Sequence, residues 1–261
     1  MRFRLSAGVA SGALALSALS VPAAQADIAT GERAASAGVT VSNVVVNKGK
    51  PIVAGTHARQ RIAVTYTARD DSGIYSADTT LWHGRGPAAA NDWIFSDGDT
   101  KCGAGTAPTC TAYFIVDPQE FYQNKIAGNG WKVEIDVYAE DSDDYSNANA
   151  KGFSILRAAK LTANASPEPV RKGKTITVTG RLTHANWETY NYTAYGSQSV
   201  KLQFRKKGAK DYSTVKTIKS AKNGDLSTTV KASADGAYRY SFAGSTITSK
   251  VDAVGDTIDV R

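Results

Sequence analysis

The stretch Val200-Lys201-Leu202-Gln203-Phe204 alternates apolar and polar side chains. Because a strand points successive side chains to opposite faces, this pattern predicts a strand with one face in a core and the other in water. Val133-Glu134-Ile135-Asp136-Val137-Tyr138 repeats the alternation far upstream. Neither segment carries a helical stripe, so together they predict β-sheets packed as sandwiches.

Further segments of strand length occur in both halves of the chain. They lie at 39–41, 62–66 and 112–116 in the first half, and at 176–178, 226–230, 238–242 and 257–260 in the second. Asn223-Gly224 separates the strand near Val215 from the one at Leu226 and predicts a two-residue hairpin turn there. The sequence therefore predicts an all-β fold.

The composition is that of a globular protein. Of 261 residues, 31 are Lys or Arg, 24 are Asp or Glu, and 42% are hydrophobic. This balance excludes wholesale disorder, and the lack of a Gly-x-y period or apolar heptad excludes collagen and coiled coil. No run of about 18 apolar residues occurs beyond the first 30, so we expect no transmembrane segment in the mature chain.

The first 26 residues have the pattern of a secretory signal peptide. Arg2 and Arg4 precede an apolar stretch at 7–21, and Ala24-Gln25-Ala26 forms a small-x-small cleavage site. A membrane anchor is the alternative, but the stretch of about 15 residues is too short to span a bilayer. We expect residues 1–26 to be removed, residues 27–38 to form a flexible leader, and the protein to be secreted and extracellular.

The two cysteines, Cys102 and Cys110, predict a disulfide. An oxidising compartment lets thiols pair, and two cysteines allow one intrachain bridge. Zinc ligation is the alternative, but no histidine or third cysteine lies nearby at a zinc spacing.

Charge divides the chain near residue 157. Residues 27–157 hold 12 Lys or Arg against 16 Asp or Glu, a net charge of −4, whereas residues 158–261 hold 17 against 8, a net charge of +9. We therefore expect an acidic domain over 39–157, which contains the disulfide loop, and a basic domain over 158–261. The two prolines in Ala165-Ser166-Pro167-Glu168-Pro169 predict a short stiff connection between them.

Several segments resemble a known family. The stretches RKGKTITVTG (171–180), SVKLQFRKKG (199–208) and DGAYRYSFAG (235–244) resemble bacterial immunoglobulin-like domains of secreted actinobacterial proteins, over residues 166–261. The stretches YTARDDSG (66–73) and VYAED (137–141) are similar to a second such module. The whole chain resembles two-domain secreted Streptomyces-type proteins, some of them labelled calcium-binding. The resemblance implies two immunoglobulin-like β-sandwich domains in tandem after a signal peptide, and it brings no catalytic residue.

Motifs of the common catalytic chemistries are missing from the sequence. It has no G-x-S-x-G elbow, H-E-x-x-H zinc motif, P-loop or dinucleotide fingerprint, and its histidines, His57, His83 and His184, are scattered. We therefore expect a protein that is not an enzyme. Glycoside hydrolysis needs only two suitably spaced acids, so a secreted carboxylate-dependent glycan hydrolase is the alternative.

An acidic constellation predicts a calcium site. If 62–68 and 133–139 are strands B and F of an immunoglobulin-like sandwich, the loops that follow them emerge at the same pole. Calcium takes six to eight hard oxygen ligands, which carboxylates, Asn147 and backbone carbonyls would supply, although acids are also ordinary turn formers. Asp97 and Asp99 form a weaker second candidate. The predicted metal ligands are Asp70, Asp71, Glu140, Asp141, Asp143 and Asp144.

A basic and aromatic constellation in the second half predicts a polymer-binding surface. Aromatic rings stack on sugar rings, and cations attract an anionic cell-wall polymer. The alternative is that the rings cover the edge of the sandwich and the lysines keep that edge soluble. The candidate residues are Trp187, Tyr190, Tyr192, Tyr195, Arg205, Lys206, Lys207 and Lys210.

These patterns together predict a secreted, monomeric, non-enzymatic protein that acts as a binding or structural module of the extracellular surface. The expected partners are calcium, an anionic cell-wall polymer or another surface protein. Nucleic acid would also satisfy the +9 charge of the second half, but export argues against it.

Overall fold

The computed structural model describes residues 38–121 and 123–261. The predicted signal peptide, 1–26, and the predicted leader up to residue 37 lie outside the described residues. Within the described part of the chain, the helical segments are turns of three residues, so none is a helix long and apolar enough to cross a membrane.

The first half folds into two facing sheets. Its strands are β1 (Thr40–Val46), β2 (Ile52–Ala54), β3 (Gln60–Arg69), β4 (Ile74–Gly84), β5 (Ala90–Phe95), β6 (Lys101–Cys102), β7 (Thr109–Val116), β8 (Gly128–Ala139) and β9 (Asp144–Arg157). One sheet has the order β1-β3-β7-β6 and the other the order β2-β9-β8-β4-β5. Short 3₁₀ turns lie at Asn47–Gly49, Pro87–Ala89, Pro118–Glu120 and Asn124–Ile126.

The second half repeats this arrangement. Its strands are β10 (Ala159–Leu161), β11 (Asn164–Ser166), β12 (Thr175–Asn186), β13 (Asn191–Ala194), β14 (Ser199–Lys206), β15 (Ser213–Lys219), β16 (Asp225–Lys231), β17 (Gly236–Phe242), β18 (Val251–Asp252) and β19 (Asp256–Ile258). In one sheet β12 pairs with β10, β11, β13 and β16. The other has the order β15-β14-β17-β18, with β19 also on β17.

In each half the pairing follows the immunoglobulin plan, in which strands B and E share one sheet and strands C and F share the other. The B–E pairs are β3–β7 and β12–β16, and the C–F pairs are β4–β8 and β14–β17. The alternation seen in the sequence places the side chains: Val133, Ile135 and Val137 are fully buried, while Glu134 and Asp136 face outwards. The prediction of two all-β, immunoglobulin-like sandwiches is confirmed.

The disulfide prediction is also confirmed. Cys102 of β6 and Cys110 of β7 face each other across the ladder and are bonded. The bridge closes the exposed loop 103–107 at the edge of the first sandwich.

Removing this bridge is expected to cost about 2.5 kcal/mol, because it closes a ring of roughly nine residues. The variant Cys102→Ser with Cys110→Ala, compared with the oxidised protein by urea unfolding, measures the loss. Reductant should destabilise the parent and leave the double variant unchanged. A parent that keeps its full stability in reductant would contradict this account.

Two local predictions are wrong. Asn223-Gly224 forms a turn, with Gly224 N donating to Ala221 O at 2.8 Å, but the strands on either side of it lie in different sheets and form no hairpin. The segment 165–169 does not connect the halves, because β10 and β11 already belong to the second sandwich. Its prolines instead end β11, after which Val170 forms an isolated bridge with Val260, just beyond β19.

The halves meet at a junction without a loose linker. Arg157 N donates to Ile247 O at 3.0 Å, and Ala158 N donates to Ala54 O at 2.8 Å. Ala158 O in turn accepts from Ala185 N at 2.8 Å. Consecutive residues are thus hydrogen-bonded to opposite sandwiches, and these bonds hold the junction in place.

Candidate functional site

Two loops of the first sandwich meet at one pole. Loop 70–73 follows β3 and loop 140–143 follows β8, which are the B and F strands of facing sheets. Glu140 N donates to Gly73 O at 3.1 Å, and Asp141 N donates to Ser72 Oγ at 3.3 Å. The sandwich topology therefore brings the two acidic loops into contact, as the sequence predicted.

The contact assembles three carboxylates. Asp70, Asp141 and Asp143 each offer an oxygen that lies within 4.8 Å of the other two. Each loop also fixes its own backbone: Ser72 N donates to Asp70 Oδ1 at 2.9 Å, and Asp143 N donates to Asp141 Oδ1 at 3.2 Å. These are Asx turns, which hold the carboxylates in defined positions.

Asp70 is the most unusual member of the group. Its relative exposure is 1%, and its Oδ2 atom is buried without a hydrogen-bond partner in the protein. The other oxygen, Oδ1, is saturated by the backbone N–H and the hydroxyl of Ser72, the latter at 2.6 Å. A buried carboxylate oxygen with no donor is costly. A cation among the three carboxylates would compensate that cost.

The other predicted ligands lie outside this group of three. Asp71 and Glu140 occupy the same two loops, and Asp144 begins β9, where it pairs with Tyr138. The weaker candidates are each paired with a cation: Asp97 with Arg61 at 3.2 Å and Asp99 with Lys101 at 3.3 Å.

Trp187 presents no face to a polymer, so its predicted role is wrong. Its side chain is fully buried and belongs to the hydrophobic cluster of the first sandwich. The indole lies 4.9 Å from the ring of Phe121, and Nε1 donates to Gly55 O at 2.9 Å. The turn after β12 thus inserts this ring into the other half of the molecule, where it acts as an anchor.

The three tyrosines of the predicted surface are half-buried and hold contacts within the protein. Tyr190 OH donates to Gln119 O at 3.1 Å, and the Lys160 ammonium lies 3.8 Å from the ring centre of Tyr192. Tyr195 is stacked on His184 with ring centres 4.0 Å apart. The rings therefore line the junction between the sandwiches.

The basic members lie at the other end of the second sandwich. Tyr195 lies near the start of β14, where its backbone O accepts from Ser220 Oγ. Arg205 and Lys206 lie at the end of that strand, which is about 23 Å from its start at the usual rise per residue. They line a cavity of about 580 Å³ that also holds three acids, Glu168, Asp235 and Asp259. The structure thus does not bring the rings and the cations together, and binding of an anionic polymer stays a prediction for the basic residues alone.

A buried polar network crosses the junction. The Arg157 guanidinium donates to Ala185 O, and its Nη2 lies 3.1 Å from His184 Nε2. His184 Nδ1 lies 3.3 Å from Thr248 Oγ1. Burial, together with the neighbouring Arg157 charge, lowers the pKa of His184 to about 4, so the imidazole is neutral at pH 7.

A further surface on the first sandwich was not predicted from the sequence. Phe95 is 71% exposed at the end of an edge strand, and its ring is parallel to that of Trp93. Strand β5 was not predicted, because the segment Ala90–Phe95 alternates weakly. The sequence pattern that could have indicated this surface is the aromatic pair Trp93-x-Phe95.

No protein-family model and no curated relative matches the chain. Among solved structures it is similar to the D00-D0 domain of intimin, at 14% identity over 84% of this chain and 99% of that one, with a TM-score of 0.27. It is also similar to the Yersinia pseudotuberculosis adhesin InvE, at 11% identity over 85% and 60% of the two chains, with a TM-score of 0.28. A third similar structure is the three N-terminal domains of the bacteriophage RB49 Hoc protein, at 10% identity over 85% and 71%, with a TM-score of 0.34.

Proposed function

We propose that the protein is a non-enzymatic binding module of the extracellular surface, and that its first sandwich binds calcium between loops 70–73 and 140–143. The observation that supports this proposal is the buried, unpartnered Oδ2 atom of Asp70 beside the carboxylates of Asp141 and Asp143. With Oδ1 of Asp70 saturated by Ser72, the three carboxylates supply three to five hard oxygens, and backbone carbonyls and water would complete the coordination.

Calcium suits this donor set better than magnesium does. The ligands come from two loops of different geometry, and calcium accepts irregular coordination, whereas magnesium requires a near-ideal octahedron. The spacing of these oxygens does not test the glycan hydrolase, which stays the alternative prediction.

Calcium is expected to stabilise the protein against heat. At a concentration one hundred times the dissociation constant, mass action contributes about 2.7 kcal/mol, which raises the melting temperature of a chain of this size by roughly 5 to 10 °C. Calorimetry in calcium, in magnesium and in chelator measures the effect, and magnesium should give a smaller rise. Identical midpoints in calcium and in chelator would refute the proposal.

The variant Asp70→Asn separates a metal site from a merely acidic loop. It retains an oxygen for the two contacts from Ser72 and removes one of three neighbouring negative charges. We expect it to melt higher than the parent in chelator and to lose the calcium response. Asp99→Asn, which changes one exposed charge elsewhere on the same sandwich, is the matched control and should keep that response.

A further inference from the structure

On the outer face of strands β5, β4 and β8, aromatic rings and carboxylates occupy paired, neighbouring positions. Thr80 of β4 lies between Phe95 of β5 and Glu134 of β8. In the adjacent row, Trp82 lies beside Trp93. We call this surface the aromatic-acidic face and define it by the residues Trp93, Phe95, Asp78, Glu134 and Asp136.

The rings of the face are held in place by their neighbours. The rings of Trp93 and Phe95 are parallel to within 5°, with centres 6.2 Å apart. Trp82 lies beside Trp93 with ring centres 6.3 Å apart; it is 2% exposed, and its Nε1 donates to Ala148 O at 2.7 Å. Because Phe95 stacks on Trp93 and Trp93 contacts the fixed ring of Trp82, the exposed ring of Phe95 is a preorganised apolar surface.

The acidic part of the face repels itself. Asp78 and Asp136 are directly opposite each other on β4 and β8, a placement that destabilises a sheet when both side chains are charged. Glu134 is two residues before Asp136 on the same face, and burial together with Asp136 raises its pKa. Among the described residues, no ion pair includes any of these three acids.

A cation on the same face, Lys132, does not neutralise them. Lys132 lies in the row of Trp82, with its ammonium 4.8 Å from the centre of that ring and 3.5 Å from Gly84 O. The face therefore combines an exposed ring with a surplus of negative charge. A complementary ligand has a flat apolar surface and positive charges along its length.

We propose that the aromatic-acidic face binds a linear polysaccharide whose amino sugars carry free, protonated amines. The C–H face of a pyranose stacks on Phe95, and the ammonium groups of neighbouring units pair with Asp78, Glu134 and Asp136. The carboxylates also accept hydrogen bonds from sugar hydroxyls.

A basic peptide fits this face less well. Strands β4 and β8 lie inside the sheet, so the backbone groups beneath the three acids are already paired. Strand β5 is an open edge, but a peptide strand added there would lie about 14 Å from β8 at the usual strand spacing, too far to pair with Glu134 and Asp136. An extended peptide would bind through its side chains alone, whereas a pyranose chain brings a flat apolar surface at every unit. The proposal does not depend on the calcium site, because it uses none of Asp70, Asp141 and Asp143.

Isothermal titration of the protein at pH 6, in chelator, with three matched oligomers tests the proposal. These are a glucosamine oligomer, its fully N-acetylated form and a glucose oligomer. The glucosamine oligomer should bind at least about tenfold tighter than the other two, with an affinity that falls as salt rises. Equal affinity for all three, or no binding of the glucosamine oligomer, would overturn the proposal.

Variants locate the binding surface. Phe95→Ala and the pair Asp78→Asn with Asp136→Asn should each weaken glucosamine binding about tenfold or more. Tyr113→Ala removes an exposed ring from the opposite sheet of the same sandwich and should bind as the parent does. Equal weakening in Tyr113→Ala, or an oligolysine that binds the parent as tightly as the glucosamine oligomer, would contradict the assignment.

Discussion

Replacing Trp187 with alanine is expected to destabilise the protein by about 3 to 5 kcal/mol, the usual cost of removing a fully buried large aromatic side chain. The indole fills a space beside Phe121, and its N–H satisfies Gly55 O. Its loss therefore leaves both a cavity and a half-buried acceptor without a donor. Both defects lie in the first sandwich, although the mutated residue lies in the turn between β12 and β13 of the second.

Urea unfolding of Trp187→Ala measures this cost and its consequence for cooperativity. We expect the two sandwiches of the variant to unfold in separate transitions because the anchor is gone. The parent, in which the anchor joins them, is expected to unfold in one transition. Trp187→Phe should recover part of the stability. Tyr190→Phe, which removes a half-buried hydroxyl contact at the same junction, is the control and should stay within about 1 kcal/mol of the parent. A loss below 1 kcal/mol for Trp187→Ala would show that the ring is not an anchor.

Acidification is expected to destabilise the protein through His184 by up to about 3 kcal/mol. Burial and the adjacent Arg157 guanidinium lower the pKa of His184 from 6.5 to about 4 in the folded chain. The unfolded chain therefore takes up the proton first. The contribution of neutral His184 is complete above pH 6.5 and is lost as the pH falls towards 4.

The variant His184→Gln isolates this contribution, because glutamine has no proton to gain in this range. The difference in unfolding free energy between parent and variant should change steadily from pH 7 to pH 4.5. Burial also lowers the pKa of His83, so the variant should keep part of the dependence. His57→Gln changes an exposed imidazole and serves as the control. A parent-to-variant difference that is constant with pH would exclude His184 as the source.

The strands that could be predicted are those in which the sequence alternates strongly. The alternation at 133–138 lies within β8 and that at 200–204 lies within β14. Strand β9 was missed because Asn147, Asn149 and Gly152 favour loops, and its pairing comes instead from its neighbour β8. The turn at Asn223-Gly224 was predicted correctly. The strands before and after it do not pair with each other, because each belongs to a different sheet.

The part of the candidate site that could be predicted is the part that the sandwich topology alone determines, namely the meeting of the two acidic loops. Strands B and F of a sandwich deliver their following loops to one pole, which is why Asp70 and Asp141 were expected to meet. Which of six acids converge depends on turn geometry within each loop. Trp187 was misplaced for another reason: an aromatic residue in a polar segment resembles an exposed ring, and the surface that buries it is more than sixty residues away in sequence.

The hydrogen-bonded junction at Arg157 and Ala158 has a consequence for multivalent attachment. When two binding modules are joined by a flexible tether, the second binding event costs chain entropy, and their separation varies. Here the tether is absent, so ligands bound on the two sandwiches would be held at one separation and one relative angle. The molecule would then discriminate between surfaces by the spacing of their ligands, and a surface with the wrong spacing would engage only one sandwich at a time.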